Sequence, residues 1–124
     1  MLNSTRLFTT ALFAFMLAGA AVYATTATPE DEARVKQTGS CPGCNLSGAD
    51  LNGLVAELGD LTNADFTEAN LYRAVLKGAN LTGANFNGAN LSGALLQYAK
   101  GVDLTGAITD YRTQCPNGEA GPCS

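Results

Sequence analysis

The sequence predicts a stacked solenoid, a chain wound in short coils around a narrow apolar centre. Three observations carry this. From Ala64 to Gly93 the chain reads ADFTE ANLYR AVLKG ANLTG ANFNG ANLSG, six blocks of five without a gap. A small residue opens each block, and Leu or Phe stands at its centre. The period of five also fits neither common element. On a helix at about 100° per residue, positions five apart visit every side, so no apolar stripe forms. On a strand, odd spacing sends successive Leu residues to opposite faces. A unit kept this strictly must be a unit of the fold, and short repeats stack on their neighbours.

The frame extends both ways. CNLSG from Cys44, ADLNG, LVAEL and GDLTN precede the six blocks, and ALLQY ending at Tyr98 follows them, giving eleven blocks and 55 of 124 residues. Ten of the eleven centres are large and apolar, the exception being Ala56, and Ala opens eight blocks. These blocks resemble the A(D/N)LXX motif of the pentapeptide-repeat family. The resemblance implies an all-β fold, a right-handed quadrilateral parallel β-helix with one pentapeptide per side and four per coil. It implies that the central residue and the small residue two before it point inward, and the other three outward. The expected core columns are Leu46, Leu51, Leu61, Phe66, Leu71, Leu76, Leu81, Phe86, Leu91 and Leu96, with Phe86 stacked over Phe66. At the exception, Leu54 replaces the usual Ala beside Ala56, an exchange of large and small that roughly conserves volume. Outside, Glu57 and Lys77 are expected to pair.

Composition narrows the function. A length of 124 residues suits one small domain. The chain has no His and no Trp, so the commonest general base and transition-metal ligand is missing. This points away from an enzyme. A net charge of −4 disfavours phosphate contact, which needs a basic face. Met1 to Ala24 reads as a secretory signal peptide. Arg6 is its only charge, Leu7 to Val22 is apolar, and Val22 and Ala24 place small residues at the −3 and −1 cleavage positions. The competing reading is a membrane anchor, but these 16 residues fall short of the ~20 needed to span. The expected location is an exported compartment, periplasmic or otherwise extracytoplasmic.

Residues 25–43 are the expected N-terminal linker and cap. Thr28 suits an N-cap and Pro29 a first helical position; Glu30, Asp31 and Glu32 favour the positive end of the dipole, and Gly39 a stop. The pattern predicts a helix over 29–37 that covers the open first coil of a rod spanning 44–106. Residues 107–124 form the expected C-terminal cap and cysteine-containing tail, with Ile108 and Tyr111 folding over the last coil.

Four Cys in an exported chain suggest disulfides before metal. On the coil count the resemblance implies, the pairs flanking the array lie ~13 Å or more apart along the axis. A bridge needs Cα atoms within ~7 Å. The expected pairing is therefore Cys41–Cys44 and Cys115–Cys123. Two readings compete with it: CPGC has the spacing of redox motifs, and four Cys match a zinc ligand set.

Other side chains invite chemistry. Asn45, Asp50, Asp65, Asn70, Asn80, Asn85 and Asn90 stand just before the centres. They would be an oxygen ladder for Ca²⁺ or, as the family motif implies, local hydrogen-bonding groups; the second is expected. Asp60 with Asp65, or Asp65 with Glu68, would do acid–base work only if they converged in a cleft. Tyr72, Arg73 and Tyr98 project outward and are the expected contact surface.

The leading functional expectation is a non-catalytic exported structural or protein-interaction module. It would bind a protein partner, with no cofactor, no metal, no nucleic acid, and no membrane after signal cleavage. A second reading comes from the resemblance alone: some family members mimic duplex DNA with an acidic rod and bind DNA gyrase. This chain departs from them in its export signal, its short array and a net charge of only −3 over residues 44–98. A third is a thiol oxidoreductase using Cys41 and Cys44.

Overall fold

A computed structural model describes residues 26–124, and the expected signal peptide at 1–24 lies outside them. Each block returns beside the block twenty residues earlier. Asn45 bridges Asp65, which bridges Asn85; the same parallel step joins Asp50, Asn70 and Asn90, then Val55, Val75 and Leu95, then Asp60, Asn80 and Lys100. Four blocks therefore make one coil. The bonds between coils are mostly main-chain: the Leu46 amide donates to the Asp65 carbonyl at 2.8 Å, and the Asp65 amide donates to the Cys44 carbonyl at 2.8 Å. Side chains add a few, such as the Asn70 amide nitrogen Nδ2 donating to Asp50 Oδ1 at 3.0 Å.

Within a block the chain turns at once. The Ala49 amide donates to the Leu46 carbonyl at 3.1 Å, and Gly48 between them has φ 71°, the positive value such a turn needs at its third residue. A turn in every block leaves one residue per block free to bridge. The expected β-helix is thus made of turns and isolated parallel bridges, with one helix, α1 (Pro29–Thr38), among the described residues.

Four buried columns fill the coil. The first holds Leu46, Phe66 and Phe86, and the two rings stack with centroids 5.0 Å apart and planes 3° from parallel. The second holds Leu51, Leu71 and Leu91, and the third Ala56, Leu76 and Leu96. The fourth holds Cys41, Leu61 and Leu81. The small openers from Ala49 to Ala94 lie buried between them. Each Leu or Phe removed from water contributes about 2–3 kcal/mol.

The N-terminal end keeps the register and changes the composition. The Asp31 amide donates to the Thr28 hydroxyl at 3.2 Å, Pro29 opens α1, and Gly39 ends it at φ 69° with its amide on the Val35 carbonyl. Val35 is buried while Ala33 is exposed. The helix is tied to the first coil because the Asn45 amide donates to Asp31 Oδ2 at 2.9 Å. The break in the repeat at LVAEL marks its seat. A Cβ built on Gly59 would collide with the Gly39 carbonyl oxygen, and one built on Gly39 would come within 3.1 Å of Ala56 Cα. Small residues at 56 and 59 admit the end of the helix, while Leu54 fills the interior beside them. Bonding between coils begins before residue 44: the Cys41 amide donates to the Asp60 carbonyl and the Gly43 amide to the Thr62 carbonyl, both at 2.8 Å.

The C-terminal end changes the register. Lys100 keeps the step of twenty from Asn80, but Asn90 pairs with Ile108 and Leu95 with Gln114, steps of eighteen and nineteen. Coil bonding thus continues beyond residue 106. Thr113 takes an opener's place, fully buried, and its hydroxyl donates to the Leu91 carbonyl at 3.0 Å. Cys115 takes a centre's place. The tail then reverses and Ala120 pairs antiparallel with Gln114. Ile108 and Tyr111 do not fold over the last coil; they are 54% and 67% exposed, because Ile108 sits at an outward bridge position and Tyr111 in a turn. The tail covers the end instead. The expected Glu57–Lys77 ion pair is also not formed: among the described residues the ion pairs lie within α1, Arg34 with Asp31 and Lys36 with Glu32. Two exposed side chains gain too little from pairing in water to be held together.

Candidate interaction surface

Cys41 is joined to Cys44 and Cys115 to Cys123, with Cα atoms 5.5 Å apart in each. Cys41 occupies a central inward position and Cys44 an opening one, so the first cystine closes the mouth of the core. Both sulfurs lie under α1, and the two residues are 0% and 3% exposed. Arg34 Nη1 donates to Cys44 Sγ at 3.6 Å. Thiol–disulfide exchange needs a thiolate to reach a sulfur, and this burial denies access. Asp31 lies with Cys41 and Cys44, their ligand atoms within 4.8 Å of one another. Its carboxylate is engaged by the Asn45 amide, and both sulfurs are committed to each other. The second cystine is at the other end of the array, so the four Cys do not converge.

The Asx ladder is spent on its own turns. Oδ1 of Asn45, Asp50, Asp60, Asp65, Asn70, Asn80, Asn85 and Asn90 each accepts the amide two residues on, at 3.0–3.3 Å. The hydroxyl and amide of Thr62 hold the Asp60 carboxyl below its usual range, and those of Thr105 do the same for Asp103. These groups are firmly ionised and fixed to the backbone, the opposite of a poised acid or base. Asp60 and Asp65 bridge into different columns, and no cleft brings them together.

Two kinds of outward side chain stand apart from the Asx groups, apolar ones and Arg–Tyr pairs. Each column backs an outer flank. On the first, second and fourth flanks the bridge positions hold mainly Asn and Asp, but on the third they hold Val55, Val75 and Leu95. Val55 is 64% exposed, and Leu58 and Tyr98, at the turns of that flank, are each 79% exposed. The turn before this flank carries Arg73, whose guanidinium lies 5.2 Å from the Tyr72 ring centroid. Two coils further, Arg112 lies 5.1 Å over Tyr111. The two pairs straddle Gly93: a Cβ there would sit 3.3 Å from Arg73 Cγ and 4.0 Å from Arg112 Cβ. Thus Tyr72 and Arg73 share an edge, while Tyr98 lies at the far turn of the third flank. The Tyr111–Arg112 pair and the apolar flank escaped the sequence reading. The flank left a signal: Asx is missing from three positions spaced by twenty.

A cleft of about 440 Å³ opens at the C-terminal end, lined by Ala99, Val102, Leu104, Pro116, Glu119 and Pro122 among others. Its polar side chains are Asn117, Glu119 and Ser124, with no basic group among them.

A model of pentapeptide repeats matches residues 60–97 in eight copies. Residues 60–97 are thus pentapeptide repeats. Its structure is similar to that of the pentapeptide repeat protein Rfr23 from the cyanobacterium Cyanothece 51142, with a TM-score of 0.57 and 38% identity over 60% of this chain and 52% of that one. It is also similar to a pentapeptide repeat protein from the Arabidopsis thaliana thylakoid lumen, with a TM-score of 0.54 and 29% identity over 72% of this chain and 66% of that one. The chain therefore spans between about half and two thirds of the lengths of these two relatives. No curated protein matches it. Pentapeptide-repeat proteins are in general interaction or structural modules.

Proposed function

We propose that this chain is a non-catalytic, exported protein-interaction module carried on a right-handed, four-sided pentapeptide-repeat rod. One observation supports this most: the division of labour among its side chains. Two of every five line the interior, and the Asx groups cap their own turns. Outside, among scattered charged and polar groups, stand Val55, Leu58, Tyr98 and two Arg–Tyr pairs, and aromatic and Arg side chains are those enriched where proteins bind each other. Tyr72, Arg73 and Tyr98 are the contact residues on this reading.

The alternatives fit less well. A thiol oxidoreductase needs a reachable sulfur. A duplex-DNA mimic needs continuous rows of negative charge, yet along each bridge ladder carboxylates are interrupted: Asn45, Asp65, Asn85; Asp50, Asn70, Asn90; Asp60, Asn80, Lys100. Export is supported by the signal-peptide-like sequence at 1–24, the two cystines and the lumenal origin of one structural relative.

Fractionation of a tagged full-length chain, followed by affinity capture from the exported compartment, tests the proposal. A specific partner lost on Arg73→Ala or Tyr98→Ala is the expected result. Cytosolic retention with inhibition of gyrase supercoiling would overturn it. So would insulin-reducing activity that disappears in Cys41→Ser.

A further inference from the structure

We infer that the third flank is a self-association surface, occupied by a second copy of this chain related by a two-fold axis lying crosswise to the rod. The inference rests on the reading of the rod as an interaction module. It begins with what that flank lacks. Elsewhere an Asx side chain accepts the amide two residues on; at Val55, Val75 and Leu95 nothing replaces it for the amides of Glu57, Lys77 and Gln97. The flank also leaves Val55, Leu58 and Tyr98 largely in water. In a lone rod these are two losses with no return. Against an apolar surface the second becomes a gain.

The charges say which surface. The third flank carries one acid and one base, Glu57 and Lys77, at equivalent positions one coil apart, ~4.8 Å along the rod. A crosswise two-fold between these coils lays each row over itself and reverses the order of coils, as an isologous contact requires. Glu57 of each copy then faces Lys77 of the other, Val55 faces Val75, and the two Leu58 side chains, each lying over Gly78 of its own copy, meet across the axis. The flank has no surplus of either sign with which to select a strongly acidic or basic stranger. The contact is small, so the dimer is a weak, concentration-dependent one.

Sedimentation velocity of the protein purified from its producing cells, across a concentration series, tests this. A monomer–dimer equilibrium is expected. Val75→Asn, which writes the other flanks' residue into this one, should abolish the dimer while the melting temperature holds or rises. Glu57→Lys and Lys77→Glu should each weaken association by about tenfold or more, and the combined swap should recover it. A monomer at every concentration, or a dimer indifferent to the single swaps, overturns the inference. A different protein captured through this flank, lost on Val75→Asn, overturns it too but leaves the interaction-module reading standing. Confirmed gyrase inhibition or thiol reductase activity would instead remove that reading.

Discussion

Both ends of the rod carry a cystine, yet they are closed by opposite means. At the N-terminal end the twenty-residue step is kept and the residues change: Ala56 and Gly59 make room, and α1 seats itself with Val35 buried. At the C-terminal end small and apolar residues persist and the step changes, by two residues and then by one. The first solution seals. Cys41 and Cys44 are buried, whereas Cys123 is only half-buried and Val102 and Leu104 line an open cleft. A helix can be fitted to a coil whose positions are fixed; once the step slips, only an irregular tail follows the contour.

The difference can be broken or sharpened by substitution. The largest effect is expected in the column that both ends protect. Phe66→Asp buries a charge between Leu46 and Phe86 and should unfold the rod, a loss of more than about 4 kcal/mol. Asn87→Asp, on the outside, should stay within about 0.5 kcal/mol. Thermal melts followed by circular dichroism compare the two, and equal midpoints would refute the inward–outward assignment. Next comes Gly59→Ala, which strikes the helix seat and should cost about 3 kcal/mol. Amide exchange should show protection lost around α1 and kept at Gln114.

Removing a cystine should cost less. In the chain-entropy account, replacing Cys115 and Cys123 by Ser costs about 2.5 kcal/mol and replacing Cys41 and Cys44 about 2, because the Cys41–Cys44 loop is shorter. A larger loss at the N-terminal pair in chemical denaturation would mean that packing under α1, rather than loop closure, dominates there. Thr28→Ala removes the cap on the Asp31 amide and should cost about 1 kcal/mol.

The smallest effect is a pH dependence confined to the C-terminal end. Burial pushes the Asp110 carboxyl upward, but the amides of Arg112, Gly93 and Thr113 and the Thr113 hydroxyl outweigh it and hold the group below 3.8. A depressed carboxyl contributes stability that is complete above its unfolded value of 3.8 and fades as the pH falls through the lower folded value. Protection of the Gly93 and Thr113 amides, relative to their intrinsic exchange at each pH, should therefore fall on acidification below that point before protection at Asn45 does.

Period five made the interior legible because each inward position is spelled by size alone. Thr28, Pro29 and Gly39 spelled α1 by capping chemistry. What escaped was whatever depends on the neighbouring coil. Thr113 reads as a polar tail residue until Leu91 offers its carbonyl. Ile108 reads as a lid until the shortened step turns it outward. Tyr111 and Arg112 meet the edge of Tyr72 and Arg73 only because the last coil is two residues short and then one long. The apolar flank was spelled out at Val55, Val75 and Leu95, but an outward Val looks ordinary unless it is compared with positions twenty away.

Most of the coil-to-coil bonds are main-chain, and only two side chains in five face inward. Outer positions on one flank can therefore be rewritten without consulting the opposite flank. Even the turns tolerate this, since Leu58, Asn63, Glu68, Arg73 and Tyr98 occupy the left-handed conformation otherwise held by glycine. Such a scaffold can acquire a new binding address one letter at a time while its inner spelling stays untouched.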